Sequence, residues 1–172
     1  AVLDGVRDLL AERWAEAPSL VGELRQWLWS EALFASRLTS GKDENLRDVA
    51  KFRGDVDDSE PIGRVPSHRA LAVFRGRSLE ILDARLALGE TVGPGQPVGP
   101  KGTPAVSLAE GRIAGHLGWR HSNRKSDELI RKCVAWTWKV KLSLSLERDL
   151  FARLREAAEA TAIKVFADNL RD

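Results

Sequence analysis

The stretch Trp136-Thr137-Trp138-Lys139-Val140-Lys141-Leu142-Ser143-Leu144-Ser145-Leu146 carries two incompatible patterns. Trp136, Trp138, Val140, Leu142, Leu144 and Leu146 fall on every second residue, the period of a half-buried strand. The residues on either side follow the helical period instead. Before it, Leu129, Ile130, Cys133 and Val134 recur at helical spacing behind Asp127, a residue suited to capping. After it, Leu146, Leu150, Leu154, Ala158, Ile163 and Phe166 do the same. The flanks decide for helix. The spacing predicts a helix to about Leu142, a break at Ser143–Ser145, and a new helix capped by Ser145 with Glu147 and Asp149 in its first turn.

Upstream, residues 116–125 form a polar, cationic connector, and a helix is predicted from Ser107 to about Leu117. The segment 89–104 is rich in glycine and proline and reads as a loop. It is not a nucleotide cradle, because Lys101 is followed by Gly102 rather than Ser or Thr, and its prolines lack amides. Leu79, Ile81 and Leu82 give an imperfect strand signal. Lys42 to Glu60 is acidic; Asp55, Asp57, Asp58 and Glu60 lack the glycine and glutamate of a calcium loop. Val2, Val6, Leu9, Leu10 and Trp14 mark a first helix. After Ala17-Pro18-Ser19 a second is predicted to Leu38, with Leu20, Val21, Leu24, Leu28 and Ala35 on one face and Trp27, Trp29, Leu33 and Phe34 widening it. The expected fold is mainly α, an irregular multi-helix bundle with at most a small two-stranded β ribbon near 79–86. The expected organisation is one helical core, 1–172: a helical pair 1–38, an irregular region 39–106, and C-terminal helices 107–172.

With 172 residues the chain can bury one core or two small ones. No apolar run approaches the roughly 20 residues of a membrane-spanning helix. One cysteine, Cys133, fits a reducing cytoplasm. The chain lacks methionine, opens on a helical pattern and closes on VFADNLRD with no breaker, which reads as a piece of a longer protein. His68, His116, His121 and Cys133 show no metal-ligand spacing, so neither metal nor cofactor is expected. No serine sits in a nucleophile-elbow pattern and Cys133 lies in an apolar helix, so no catalytic residue and no enzyme activity are expected.

The chemistry that remains is cationic. In Pro66 to Arg77, PSHRALAVFRGR, Pro66 and Ser67 read as a helix start, Ala70, Leu71, Val73 and Phe74 as its apolar face, and Gly76 as its stop, giving a basic helix 67–76. No acid lies between Glu60 and Glu80, so Arg64, His68, Arg69, Arg75 and Arg77 stand unbalanced. Arg69 opposes the helix dipole and is not placed for helix stability. These residues read either as a phosphate-contacting patch or as a surface helix whose arginines pair with acids elsewhere. From Gly111 to Leu146 eight bases face only Asp127 and Glu128. There Trp119, Arg120, Arg124 and Lys125 are the candidates for stacking and phosphate contact, and Trp136 and Trp138 read as core.

The order of the segments DLLAERWAE, LRQWLWSEALFASRL, SGKDEN, AKFR, SEPIGRVPSHRALAVFRGR and ERDLFARLREAAEATAIKVFADNLRD closely resembles the Tex family of bacterial transcription accessory proteins. The resemblance covers nearly the whole chain. It implies a long cytoplasmic protein with a helical N-terminal part, an RNase H-like domain, helix-hairpin-helix elements and a C-terminal OB-fold RNA-binding domain. This chain would be the helical core before the RNase H-like domain. Two departures stand out: Gly54-Asp55-Val56-Asp57-Asp58 replaces an aromatic FRDYF-like stretch, and the insert 89–104 is longer than typical. The expected role is a non-catalytic, nucleic-acid-binding (RNA or DNA) part of a transcription factor. The alternative is a scaffold that holds neighbouring domains or contacts RNA polymerase.

Overall fold

The computed structural model describes residues 2–39, 50–52, 54, 58–88 and 108–171. Most of the acidic stretch from Lys42, the loop 89–104 and Ser107 lie outside them. In chain order the elements are α1 (Val2–Ala15), α2 (Pro18–Glu31), β1 (Leu33–Leu38), β2 (Asp58–Pro61), a 3-10 turn (Ile62–Arg64), α3 (Ser67–Ser78) and β3 (Leu82–Ala87). There follow α4 (Leu108–His116), α5 (Lys125–Trp136), a π-helical segment (Thr137–Leu142) and α6 (Ser143–Arg171). The fold is mainly α. The chain divides into two compact units, Ala1–Leu28 with Leu88–Arg148, and Trp29–Ala87 with Asp149–Asp172.

In the first unit α1 packs on α5 and on the π-helical segment, and α4 packs on α5. Ala11, Leu20, Leu24, Ile113, Cys133, Val134 and Leu142 are buried there. The predicted break at Ser143–Ser145 does not occur: α5 continues through the π-helical segment into α6. The alternating residues do not share one face. Leu142 and Leu146, four apart, are buried, whereas Val140 and Leu144 are 45% and 63% exposed. That is helical spacing, and the apolar residues between are solvent-facing. Thr137 is fully buried and its hydroxyl donates to the Cys133 carbonyl at 2.7 Å, a local bond to the preceding turn.

In the second unit the strands form an antiparallel sheet in the order β2-β1-β3. The ribbon expected near 79–86 is therefore part of three strands, not two. The predicted second helix stops at Glu31, and Leu33–Leu38 is the central strand. Its register sets Phe34 opposite Glu60 on one side and Leu86 on the other. Phe34 and Ser36 are buried and Arg37 is exposed. LFASRL contains no β-branched residue, so pairing on both edges overrides a locally helical composition. The backbone is held at the junction too, where the Ile62 amide donates to the Ala32 carbonyl at 3.0 Å.

Helix α3 packs on β3 and buries Ala70, Val73 and Phe74. Two expectations about its ends are corrected. Ser67 is its first helical residue rather than its cap; Pro66 takes the cap position, with no side-chain cap bond. The Pro66 carbonyl instead accepts from the amides of Arg69 and Ala70 at 3.1 and 3.0 Å. Gly76 does not stop the helix, which runs to Ser78. The left-handed residue is Glu80, at φ 57°. Glu80 N–H donates to Arg77 O at 3.0 Å and Ile81 N–H to Gly76 O at 2.9 Å, the paired bonds of a Schellman termination. Gly76 is a contact residue: a Cβ there would lie 2.7 Å from Leu82 Cδ1.

Candidate nucleic-acid interface

The candidate residues fall into two groups. Arg64, His68, Arg69, Arg75 and Arg77 belong to the second unit, and Trp119, Arg120, Arg124 and Lys125 to the first.

Arg69 sits in the first turn of α3, above the edge strand β2. Asp58 and Glu60, two apart on that strand, both accept from its Nη1, Glu60 at 2.8 Å. All three side chains are about one-third exposed. The cation that opposes the helix dipole is thus held by carboxylates of another element. Asp58 belongs to the stretch where the sequence departs from the family's aromatic pattern, so an ion pair ties down this edge. Arg64, His68, Arg75 and Arg77 are exposed. No carboxylate among the described residues pairs with Arg64, Arg75 or Arg77.

Arg77 follows Phe74 by one helical turn and leans onto a ring cluster. Phe34 from β1, Phe74 from α3 and Phe151 from α6 lie with centroids 5.6, 5.3 and 6.0 Å apart. The guanidinium carbon of Arg77 stands 5.4 Å from the Phe151 ring centre. From the other helix Arg155 stands 4.8 Å from the Phe74 ring centre. Arg153 lies 4.0 Å over Trp29, whose indole also abuts Gly63. Sequence reading did not single out Arg153 and Arg155. Their signal was there: Arg155 follows Phe151 by four residues, on the same face of a helix whose apolar side is plain.

In the first unit the connector is organised by one carboxylate. Asp127 occupies the third position of α5 and is fully buried. Its oxygens accept from the indole N–H of Trp119 at 3.0 Å and the amides of Ser122 and Arg124 at 2.8 and 3.1 Å. The Arg124 guanidinium adds two bonds, Nε at 3.2 Å and Nη2 at 3.0 Å. These donors, the Arg124 and Trp119 side chains foremost, hold the Asp127 carboxyl far below the ordinary carboxylate range against the opposing effect of burial. Asp127 therefore caps α5 from inside the helix, not from the cap position predicted for it. Gly118, at φ 69°, closes α4 with the same paired bonds seen after α3: Gly118 N–H to Gly115 O and Trp119 N–H to Ala114 O. Trp119 is half-buried with its N–H engaged, whereas Arg120, Arg124 and Lys125 are exposed around it.

Other bases of the first unit are engaged within it. Arg131 pairs with Glu128 at 2.8 Å, and Arg112 lies 5.2 Å over Trp27. Arg7 lies 3.8 Å over Trp136. His116 bridges Glu23 at 2.6 Å and Ser19 at 3.3 Å. Among the described residues no group of three or more His, Cys, Asp or Glu side chains is placed to hold a metal ion. Cys133 is buried, which raises its thiol pKa.

The family described as Tex central region-like matches residues 1–166. The chain is 42% identical over its whole length to "Protein YhgF" of Escherichia coli strain K12, of which it covers 21%. It is also 42% identical to "Protein tex" of Bordetella pertussis and 37% identical to "Transcriptional accessory protein Tex" of Neisseria gonorrhoeae, covering 21% of each. The chain thus spans about a fifth of the length of these relatives. With a match over nearly all its residues, the chain belongs to the Tex central region family.

Proposed function

We propose that this chain is a non-catalytic part of a bacterial transcription accessory factor and that it contacts nucleic acid through its exposed cations. The carrying observation is that Arg64, Arg75 and Arg77 reach solvent without a carboxylate partner among the described residues. Arginines left in water beside a phosphate polyanion exchange condensed counterions for direct contacts. In the first unit Arg120 and Lys125 offer the same chemistry on a loop fixed by Asp127, while the exposed Arg124 guanidinium is already paired with that carboxylate. The names of the relatives supply the transcriptional setting. No helix of the described residues is long and apolar enough to cross a membrane.

A scaffold role, holding neighbouring domains or meeting RNA polymerase, is the second reading. It is favoured by Arg69 and Trp119, whose polar groups are spent inside the fold. The test is a salt titration of the chain against single-stranded RNA and duplex DNA. Direct contact gives an affinity that falls linearly on log–log axes, by about 0.7 to 0.9 per phosphate contacted. Absence of binding at about 0.05 M salt overturns the proposal and leaves the scaffold reading.

A further inference from the structure

The Phe34–Phe74–Phe151 cluster is capped in a crossed manner. Arg77 of α3 lies over Phe151 of α6, and Arg155 of α6 lies over Phe74 of α3. Each arginine lies within a helical turn of the phenylalanine on its own helix and reaches across to the ring of the other. The two cations therefore cap neighbouring rings, whose centroids lie 6.0 Å apart. Neither is ion-paired among the described residues. A guanidinium lying over a ring has its face occupied and its orientation restrained, while its in-plane N–H donors stay available for a bidentate acceptor. Two such groups on neighbouring rings suit an acceptor with repeated anionic oxygens, which is the chemistry of a phosphodiester strand.

We propose that Arg77 and Arg155 form the seat for the sugar-phosphate backbone of a nucleic acid strand. The proposal rests on the nucleic-acid reading above and deepens it. It moves the contact off Arg69, which β2 has neutralised, and adds Arg155, which the basic helix does not contain.

The experiment is fluorescence anisotropy of labelled single-stranded oligouridine with the chain over a salt series. The variants are R77Q/R155Q, a charge-matched control K164Q/R171Q from the exposed end of α6, and R77K/R155K. Helical content by circular dichroism is followed for each. The seat requires R77Q/R155Q to bind about tenfold or more weakly than the control, with a salt slope shallower by about 1.4, two single-strand contacts. R77K/R155K keeps the charge and loses the planar fork, so it keeps most of the slope and loses affinity. If R77Q/R155Q binds within about twofold of the control while the parent binds, the seat is wrong and the nucleic-acid reading survives. If the parent does not bind, both fall. Should R77Q/R155Q lose its helical content, the lysine pair decides, and parent-like affinity in that pair overturns the seat.

Discussion

Two glycines and a glutamate show how much one residue's backbone decides. Gly118 is a helix-ending glycine with φ 69°, whereas Gly76, which reads the same way in sequence, lies inside α3 because Leu82 fills the space of its Cβ. A glycine kept for contact and a glycine kept for conformation look alike until the neighbour is known. Gly76→Ala gains about 1 kcal/mol of helix propensity but overpacks a buried leucine at about 1–3 kcal/mol. A net loss on the order of 1 kcal/mol is expected, read by urea denaturation as a lower midpoint at unchanged slope. Glu80 does the work of a glycine at φ 57°. Glu80→Gly should raise stability by about 0.5–1 kcal/mol, since the left-handed cost of a side chain exceeds the entropy glycine adds to the unfolded chain. A thermal midpoint that falls instead would show the Glu80 side chain itself to be stabilising. Asp127 sets an acid limit. Its folded pKa lies below its unfolded value of about 3.9, so its contribution is complete above that value and lost as pH falls toward the folded one. Asp127→Asn should lower the thermal midpoint at pH 7 and flatten the loss of stability below about pH 4, checked by melts at several pH values.

At the level of elements, helices were legible wherever apolar residues recur over three or more turns, as in α1, α3 and α5. What was not legible lies where two elements meet. Only Ala32 separates α2 from β1, with no glycine or proline between them, and only pairing with β2 and β3 tells Leu33–Leu38 from further turns of helix. The π-helical segment hides for a similar reason, because its alternation is real in sequence but splits into buried and exposed sets once wound. In the candidate site, the cations of α3 could be read from an acid-free window. That Arg69 is neutralised could not, since Asp58 and Glu60 lie across a strand-to-helix turn. The ring cluster joins β1, α3 and α6, so Phe151→Ala should cost about 3–5 kcal/mol, large enough to be seen as lost cooperativity in denaturation. Beyond Ala158 the picture changes. Every described residue from Glu159 to Arg171 is exposed, Ile163, Phe166 and Leu170 included. Amide exchange should therefore be slow through Leu154 and fast beyond Ala158; uniform protection along α6 would show the end of the helix to be covered in solution.

Across the whole molecule, neither unit is a continuous piece of chain. The first needs residues 1–28 and 88–148; the second needs 29–87 and 149–172. A chain ended after Ala87 lacks Phe151, Leu154 and Ala158, all buried parts of the second unit's core. Such a truncation should show no cooperative melt, whereas a sigmoidal transition would mean that the sheet and α3 suffice. Folding by distant segments is also slow relative to helical bundles closed by local contacts. The tryptophans follow the same division. The chain has six and no tyrosine, and Trp29 alone falls in the residues of the second unit. With Arg153 4.0 Å over its ring and Gly63 against its edge, Trp29 is the single tryptophan emitter of the second unit. The emission that Trp29→Phe removes is thus a local optical signal, by which the melting of one unit can be followed without a label.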